Sequence, residues 1–170
     1  WLMRGTRRLR ANADGSLAAA VAVLLYANTL QNQLVFDDHR AIERNGCVQP
    51  ATPLHAHLAC ALSHDFWGTP LASPSSHHSY RPLTTLTFWL NARADTSGAA
   101  AGYHVGNALL HGLVTWVLWS HAAARLDGRS APLAAALLFA AHPVNTEAVA
   151  YGVGRADLLA AALGLGGMRL

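Results

Sequence analysis

The chain has 170 residues, 52% of them hydrophobic and only 12% charged, against roughly 25% charged in an ordinary soluble domain. The formal net charge is +3, and all twelve basic residues are dispersed arginines. With no basic patch interleaved with aromatics, the charge does not mark a nucleic-acid-binding protein, and membrane topology explains it better.

Residues 1–16 carry Arg4, Arg7, Arg8 and Arg10, and residues 17–35 then form an apolar run. Such a run is long enough to cross a ~30 Å hydrocarbon core. A signal peptide shares the pattern, but the run exceeds an h-region and ends in Asn28, Gln31, Asn32 and Gln33 with no small-residue cleavage site. A retained first span is therefore expected. The arginines place residues 1–16 in the cytosol and Asp37-Asp38 on the far side.

Residues 36–102 read as one long segment outside the membrane. A short surface helix is expected from Thr52 to Leu62, lying in the membrane interface. Asp65-Phe66-Trp67-Gly68 has the look of an ordered element. Pro82 to Asn91 predicts a helix with proline in its first turn, too short to span. Cys47 and Cys60 fall within this segment; they are either free thiols or, if the segment is lumenal, a disulfide.

A second span is expected at 103–124, followed by a basic cytosolic loop at 125–130. His104, Asn107 and His111 share one helical face, either for helix–helix hydrogen bonding or as the wall of a polar cavity. Residues 131–141 predict a third span, 142–155 a lumenal turn and 156–170 the start of a fourth. One long proline-broken helix also fits 131–170. The chain ends inside an apolar run and starts at Trp1, so an N-terminal fragment is expected.

Three groups of residues carry chemistry. Asp37-Asp38 at a membrane-edge cavity can take a proton from a hydroxyl that attacks an activated carbon; a helix-ending acidic turn paired with Arg40 or Arg44 is the plainer alternative. In Ser79-Tyr80-Arg81-Pro82, a guanidinium stands beside free helix N–H groups, a pairing that favours phosphate; Arg81 reaching for lipid headgroups is the alternative. His142, Glu147, Arg155 and Asp157 form the third group. There Glu147 can orient an acceptor, ligate a metal or pair with Arg155, and Arg155 with Asp157 can be a simple ion pair. No Cys/His set has structural-zinc spacing. No glycine-rich phosphate loop is present.

Several stretches, in order and spacing, resemble one family. They are Val35-Phe36-Asp37-Asp38; Asp65-Phe66-Trp67-Gly68-Thr69; Ser79-Tyr80-Arg81-Pro82-Leu83-Thr84; Tyr103-His104 with Asn107 and His111; Ala136 to Ala140 with His142-Pro143; and Thr146-Glu147-Ala148-Val149-Ala150 with Gly152-Val153-Gly154-Arg155-Ala156-Asp157. The family is the transmembrane and tetratricopeptide-repeat protein O-mannosyltransferases. The resemblance covers about residues 20–163. It departs at His78, where the family usually has lysine, and at Asn145, where it usually has histidine. The first departure loses a fixed charge available to a phosphate; the second weakens a metal or proton-relay role there.

The resemblance implies an all-α membrane protein with a GT-C-type transmembrane bundle, here partial with about four spanning helices and a long lumenal first loop. It implies a multi-pass endoplasmic reticulum enzyme that moves mannose from dolichyl phosphate mannose to Ser or Thr hydroxyls of cadherin-type domains. Asp37 and Asp38 would be the catalytic pair, with either one as base. Arg81 and Arg155 would hold the donor phosphate. Glu147, Asp157, His142, Trp67 and Tyr80 would line the acceptor cavity. No cofactor is required, a divalent metal is allowed but not demanded, and the partners are lipid donor, protein acceptor and membrane lipid. The fragment alone is expected to be inactive. A membrane scaffold acting through repeats, or a transporter with a polar cavity, are the competing functions.

Overall fold

A computed structural model describes residues 2–95 and 99–168, with side chains from residue 12 onward. Among the described residues the regular secondary structure is helical, apart from one isolated bridge between His64 and Pro70. Seven α-helices follow in order: α1 Leu2–Leu25, α2 Leu54–Ser63, α3 Pro82–Ala94, α4 Ala101–Arg125, α5 Ser130–Ala141, α6 Asn145–Ala150 and α7 Arg155–Gly167.

The 25-residue α4 is the axis of the bundle. It packs against α1 and α5 at one end of the chain order and against α7 at the other. Small residues permit the close approaches. A Cβ on Gly15 would fall 2.4 Å from the Trp119 ring, and one on Gly112 would fall 2.8 Å from Val23. Ala18, Trp119 and Ala136 form the resulting core. At one end of the bundle, Arg129 grips the buried Asp14 with two hydrogen bonds of 2.6 Å, joining α1 to the loop before α5.

Helix extents differ from the sequence expectation. The first helix does not run to Val35. It stops at Leu25, a 3-10 turn occupies Ala27–Gln31, and the backbone to Val35 is irregular. The cause is local. Polar side chains here compete for backbone groups, and Thr29 ties its hydroxyl back to the Tyr26 carbonyl at 2.7 Å. Asn12–Gln31 is the one described stretch long and apolar enough to cross a bilayer. Although α4 has the length, His104, Asn107, His111, Ser120 and His121 dilute its hydropathy. At 12 residues, α5 is about 18 Å long, short of the ~30 Å hydrocarbon core.

The long loop folds on its own core, made of Leu34, Ala41, Ile42, Val48, Phe66, Phe88, Trp89 and Tyr103. A π-helical turn, His39–Glu43, which the sequence did not announce, turns Ala41 and Ile42 into it. The expected surface helix forms as α2, with Leu54, Leu58 and Leu62 exposed and His57 and Ala61 buried. Cys47 and Cys60 are joined as a disulfide, which settles the alternatives left open by the sequence. Beneath it, His57 stacks on Trp89 at 4.8 Å and bonds the Cys47 carbonyl at 2.7 Å. At the far end of the bundle, α5 stops at His142 before Pro143, so the 131–170 region is broken helices and turns, not one long helix.

Candidate active site

The acid pair sits on a tight turn. Phe36 adopts φ of 47°, in the left-handed region that residues other than glycine rarely occupy, and the residue is 85% exposed. The next two residues then diverge. Asp37 is exposed, whereas Asp38 is 1% exposed and turned inward.

Asp38 accepts hydrogen bonds from three backbone N–H groups: Val153 at 2.8 Å, Gly152 at 3.2 Å and Val35 at 3.3 Å. Burial pushes its carboxyl above the ordinary range, against the pull of these donors and of nearby His104. Gly152 is required here for space: a Cβ would lie 2.7 Å from Asp38 Oδ1. Alongside, the Asp37 N–H donates to the Tyr151 hydroxyl oxygen at 2.9 Å. The acid turn is thus joined to a segment more than a hundred residues away. Asn107 supports that segment from α4, its Nδ2 donating to the Tyr151 and Val149 carbonyls at 2.9 and 3.3 Å.

Arg40 does not pair with the acids. Its guanidinium lies 5.6 Å from the Trp67 ring centre and 3.5 Å from His77. Arg81, exposed at the start of α3, lies 4.8 Å over Phe66. The ordered look of Asp65-Phe66-Trp67-Gly68 has a clear cause. Asp65 accepts from the N–H groups of Trp67, Thr69 and His77 and from the Ser76 hydroxyl, and Gly68 takes φ of 79°. Asn45 adds a bond to the Phe66 carbonyl at 3.1 Å.

Arg81 and Asp157 share a groove of about 390 Å³ between the start of α3 and α7, with Leu83, Leu159 and Leu163 as apolar wall. Arg155 is placed differently from its neighbour. It is 2% exposed, and its donors meet neutral acceptors: Asn107 Oδ1 at 2.8 Å, the Tyr103 carbonyl at 2.8 Å, the Thr87 carbonyl at 3.2 Å and Asn91 Oδ1. Phe88 and Tyr103 cover its faces. A guanidinium consumed in this way is a hub joining α3, α4 and α7, and not an open phosphate ligand. Neither the Glu147 nor the Asp157 ion pair with Arg155 is formed.

Glu147 and His142 are exposed on the turn around α6, Tyr80 is exposed, and Trp67 is half-buried. Asn107 and His111 make helix-to-chain hydrogen bonds, His111 to the Ala140 carbonyl at 3.2 Å, and His104 is fully buried. One group of metal-ligand side chains occurs among the described residues, Cys47, Cys60 and His64. Its sulfurs are spent in the disulfide, and metals bind thiolates. Sequence reasoning gave Tyr151 no role and named Gly152 only within a matching stretch, without its contact to Asp38. A tyrosine and a glycine beside an apolar run carry no local signal of a bond to Asp37 or Asp38.

The chain is similar to Protein O-mannosyl-transferase Tmtc1 of Drosophila melanogaster, at 49% identity over 82% of this chain and 16% of that protein. It is similar to Protein O-mannosyl-transferase TMTC4 of Homo sapiens, at 42% identity over 85% of this chain and 21% of that protein. Protein O-mannosyl-transferase TMTC2 of Homo sapiens matches at 43% over 84% of this chain and 16% of that protein. No family model and no solved structure matches. These relatives are glycosyltransferases by name, each matched over most of the present chain. The chain belongs to their family, the transmembrane and tetratricopeptide-repeat type protein O-mannosyltransferases. It spans about one sixth to one fifth of the length of these relatives.

Proposed function

We propose that this chain is the acid-bearing part of an enzyme that transfers mannose from dolichyl phosphate mannose to Ser or Thr hydroxyls of cadherin-type domains in the endoplasmic reticulum lumen. The observation that carries the reading is the acid turn, with one aspartate exposed and its neighbour buried under backbone donors. The acceptor O–H gives its proton to a carboxylate of the pair as its oxygen forms a bond to the anomeric carbon. The bond from that carbon to the phosphate oxygen breaks, the electron pair leaves with dolichyl phosphate, and the anomeric configuration inverts.

Arg81 suits the leaving phosphate. It is exposed, stands at a helix N-terminus and opens onto a groove that it shares with Asp157 and that Leu83, Leu159 and Leu163 wall, so a lipid phosphate bound at the Arg81 end meets a guanidinium beside an apolar wall. Arg155 acts from inside, by fixing α3 and α7. Glu147, His142, Trp67 and Tyr80 face the acceptor.

The fold is read as part of a GT-C-type membrane bundle. Two contacts support an up-and-down topology. Asp14 with Arg129 brings the expected cytosolic segments 1–16 and 125–130 together. Asp38 with Gly152 and Val153 brings the expected lumenal segments 36–102 and 142–155 together. The exposed Leu54, Leu58 and Leu62 stripe of α2 suits the membrane interface.

The test is mannose transfer in microsomes. The complete protein is expressed in cells lacking related enzymes and given labelled dolichyl phosphate mannose with a cadherin-domain acceptor. Label reaches the acceptor, and an Asp37→Asn/Asp38→Asn double variant expressed at the same level transfers none. Equal transfer by the double variant overturns the reading.

A further inference from the structure

We infer that the two aspartates have separate jobs: Asp37 meets the acceptor hydroxyl, and Asp38 is a positioning residue that holds Asp37 against the Tyr151–Val153 segment. This rests on the transferase reading above. The sequence treats the pair as equivalent; the structure does not.

Access decides the assignment. A general base must come within hydrogen-bond reach of the proton that it takes. Asp38 is 1% exposed, and both its oxygens already receive backbone N–H donors, Oδ1 from Val153 and Oδ2 from Gly152 and Val35. An incoming hydroxyl has no path to it. Asp37 is exposed, and its own N–H is anchored on the Tyr151 hydroxyl. That hydroxyl also faces the Asp37 carboxylate, whose charge helps hold the phenol above its ordinary range after burial. Tyr151 therefore stays protonated at neutral pH, free to donate to the carboxylate it anchors.

Two contacts tie the acid turn to the same three-residue segment, Tyr151–Val153. Asp38 takes the N–H groups of Gly152 and Val153, while Tyr151 reaches back to Asp37. The grip depends on Gly152, whose missing Cβ is where the Asp38 carboxylate lies. The left-handed backbone at Phe36 is sustained by this grip, and such strain persists only where its surroundings over-determine it. The charged and titratable groups facing the pair are Tyr151 on the far segment, His104 from α4 and, beyond His104, Arg155 from α7.

The experiment uses the complete protein and single variants. Asp37→Asn lowers kcat by about 10³-fold, within the span of lost general-base catalysis. Asp38→Asn lowers kcat about 10- to 100-fold, as a misplaced base does, and leaves KM for the donor unchanged. Gly152→Ala, which displaces the Asp38 carboxylate without altering either acid, matches Asp38→Asn in kcat. Tyr151→Phe costs about tenfold, the worth of one hydrogen bond. Hydrogen exchange of the peptide spanning 150–154 speeds up in Asp38→Asn and Gly152→Ala and not in Asp37→Asn.

An inactive Asp38→Asn beside an active Asp37→Asn overturns the assignment while leaving the enzyme reading intact. So does a Gly152→Ala protein with wild-type kcat, or complete loss in Asp38→Asn with exchange unchanged. Wild-type transfer by both aspartate variants defeats the transferase reading itself.

Discussion

Arg155 Nε donates to Asn107 Oδ1 at 2.8 Å, and that same asparagine donates from Nδ2 to the Tyr151 carbonyl at 2.9 Å. One amide thus carries the bundle's buried cation on one side and the segment behind the acid turn on the other. The described partners of Arg155 are neutral oxygens and aromatic faces. A cation buried in such a cage is held by the number and direction of its hydrogen bonds, and the planar fork of arginine meets them where a point charge does not.

Arg155→Lys is therefore not conservative. It strands acceptors on Asn107, Asn91 and Tyr103 and loses the contact with the Phe88 ring. Each buried acceptor left without its donor costs about 1–3 kcal/mol, and the lysine ammonium recovers only part of it. The expected outcome is a lower melting temperature for the complete protein in detergent, with KM for the lipid donor unchanged in whatever folds. A variant with wild-type melting and a raised donor KM would instead make Arg155 a phosphate ligand.

Much of this arrangement was legible in the sequence and some was not. Pro82 marked the start of α3 correctly, because proline at a first helical turn loses nothing. Spacing put Leu54, Leu58, Ala61 and Leu62 on one face of α2; the three leucines are exposed, whereas Ala61 turns inward with His57. The face of His104, Asn107 and His111 gave the polar side of α4, and the hydrogen-bonding alternative is the one found for Asn107 and His111. Other features had no local signature. The end of α1 at Leu25 is set by side-chain bonds to backbone that hydropathy does not register. Nor could Arg155 be told from Arg81 by residue type. Both stand where a helix starts, but one is enclosed by α3, α4 and α7 and the other faces a groove. The split between Asp37 and Asp38 comes from contacts with residues 151–153, which only the folded chain brings near.

The Cys47–Cys60 bridge closes a loop with a sequence separation of 13. Constraining a loop of this size is worth about 3 kcal/mol in the chain-entropy account. It also ties the 3-10 turn at Gly46–Val48 to α2, so His57 stays between the Cys47 carbonyl and Trp89. A Cys47→Ser/Cys60→Ser protein should show faster proteolysis within residues 45–65 while α4 and α5 remain protected. The bridge itself is checked by mass: alkylation of the unfolded protein labels neither cysteine before reduction and both afterwards. Cleavage at the wild-type rate in the double variant would show that the bridge adds no stability to this loop.

Asp65 offers a test by pH. Burial alone would raise its carboxyl, but the N–H groups of Thr69, His77 and Trp67 with the Ser76 hydroxyl outweigh burial and leave it below the ordinary range. A carboxylate lowered in the folded state binds its proton more weakly there than in the unfolded chain. Its contribution is complete above the unfolded value, near 4, and falls away as the pH drops through the lower folded value. The turn at 65–69 should keep its exchange protection, after correction for intrinsic rates, from pH 7 to about pH 5, and lose it only in stronger acid. Asp38 runs the other way. Its carboxyl lies above the ordinary range, so it takes a proton first on acidification, and the neutral form is the one that burial favours. Asp65→Asn should abolish the acid-dependent step at 65–69 and lower protection there already at pH 7, by roughly 10-fold or more for a lost charge-assisted hydrogen bond. Protection at 65–69 unchanged in Asp65→Asn at neutral pH would mean that the turn is held by Asn45 and the Phe66–Ser79 backbone bond instead.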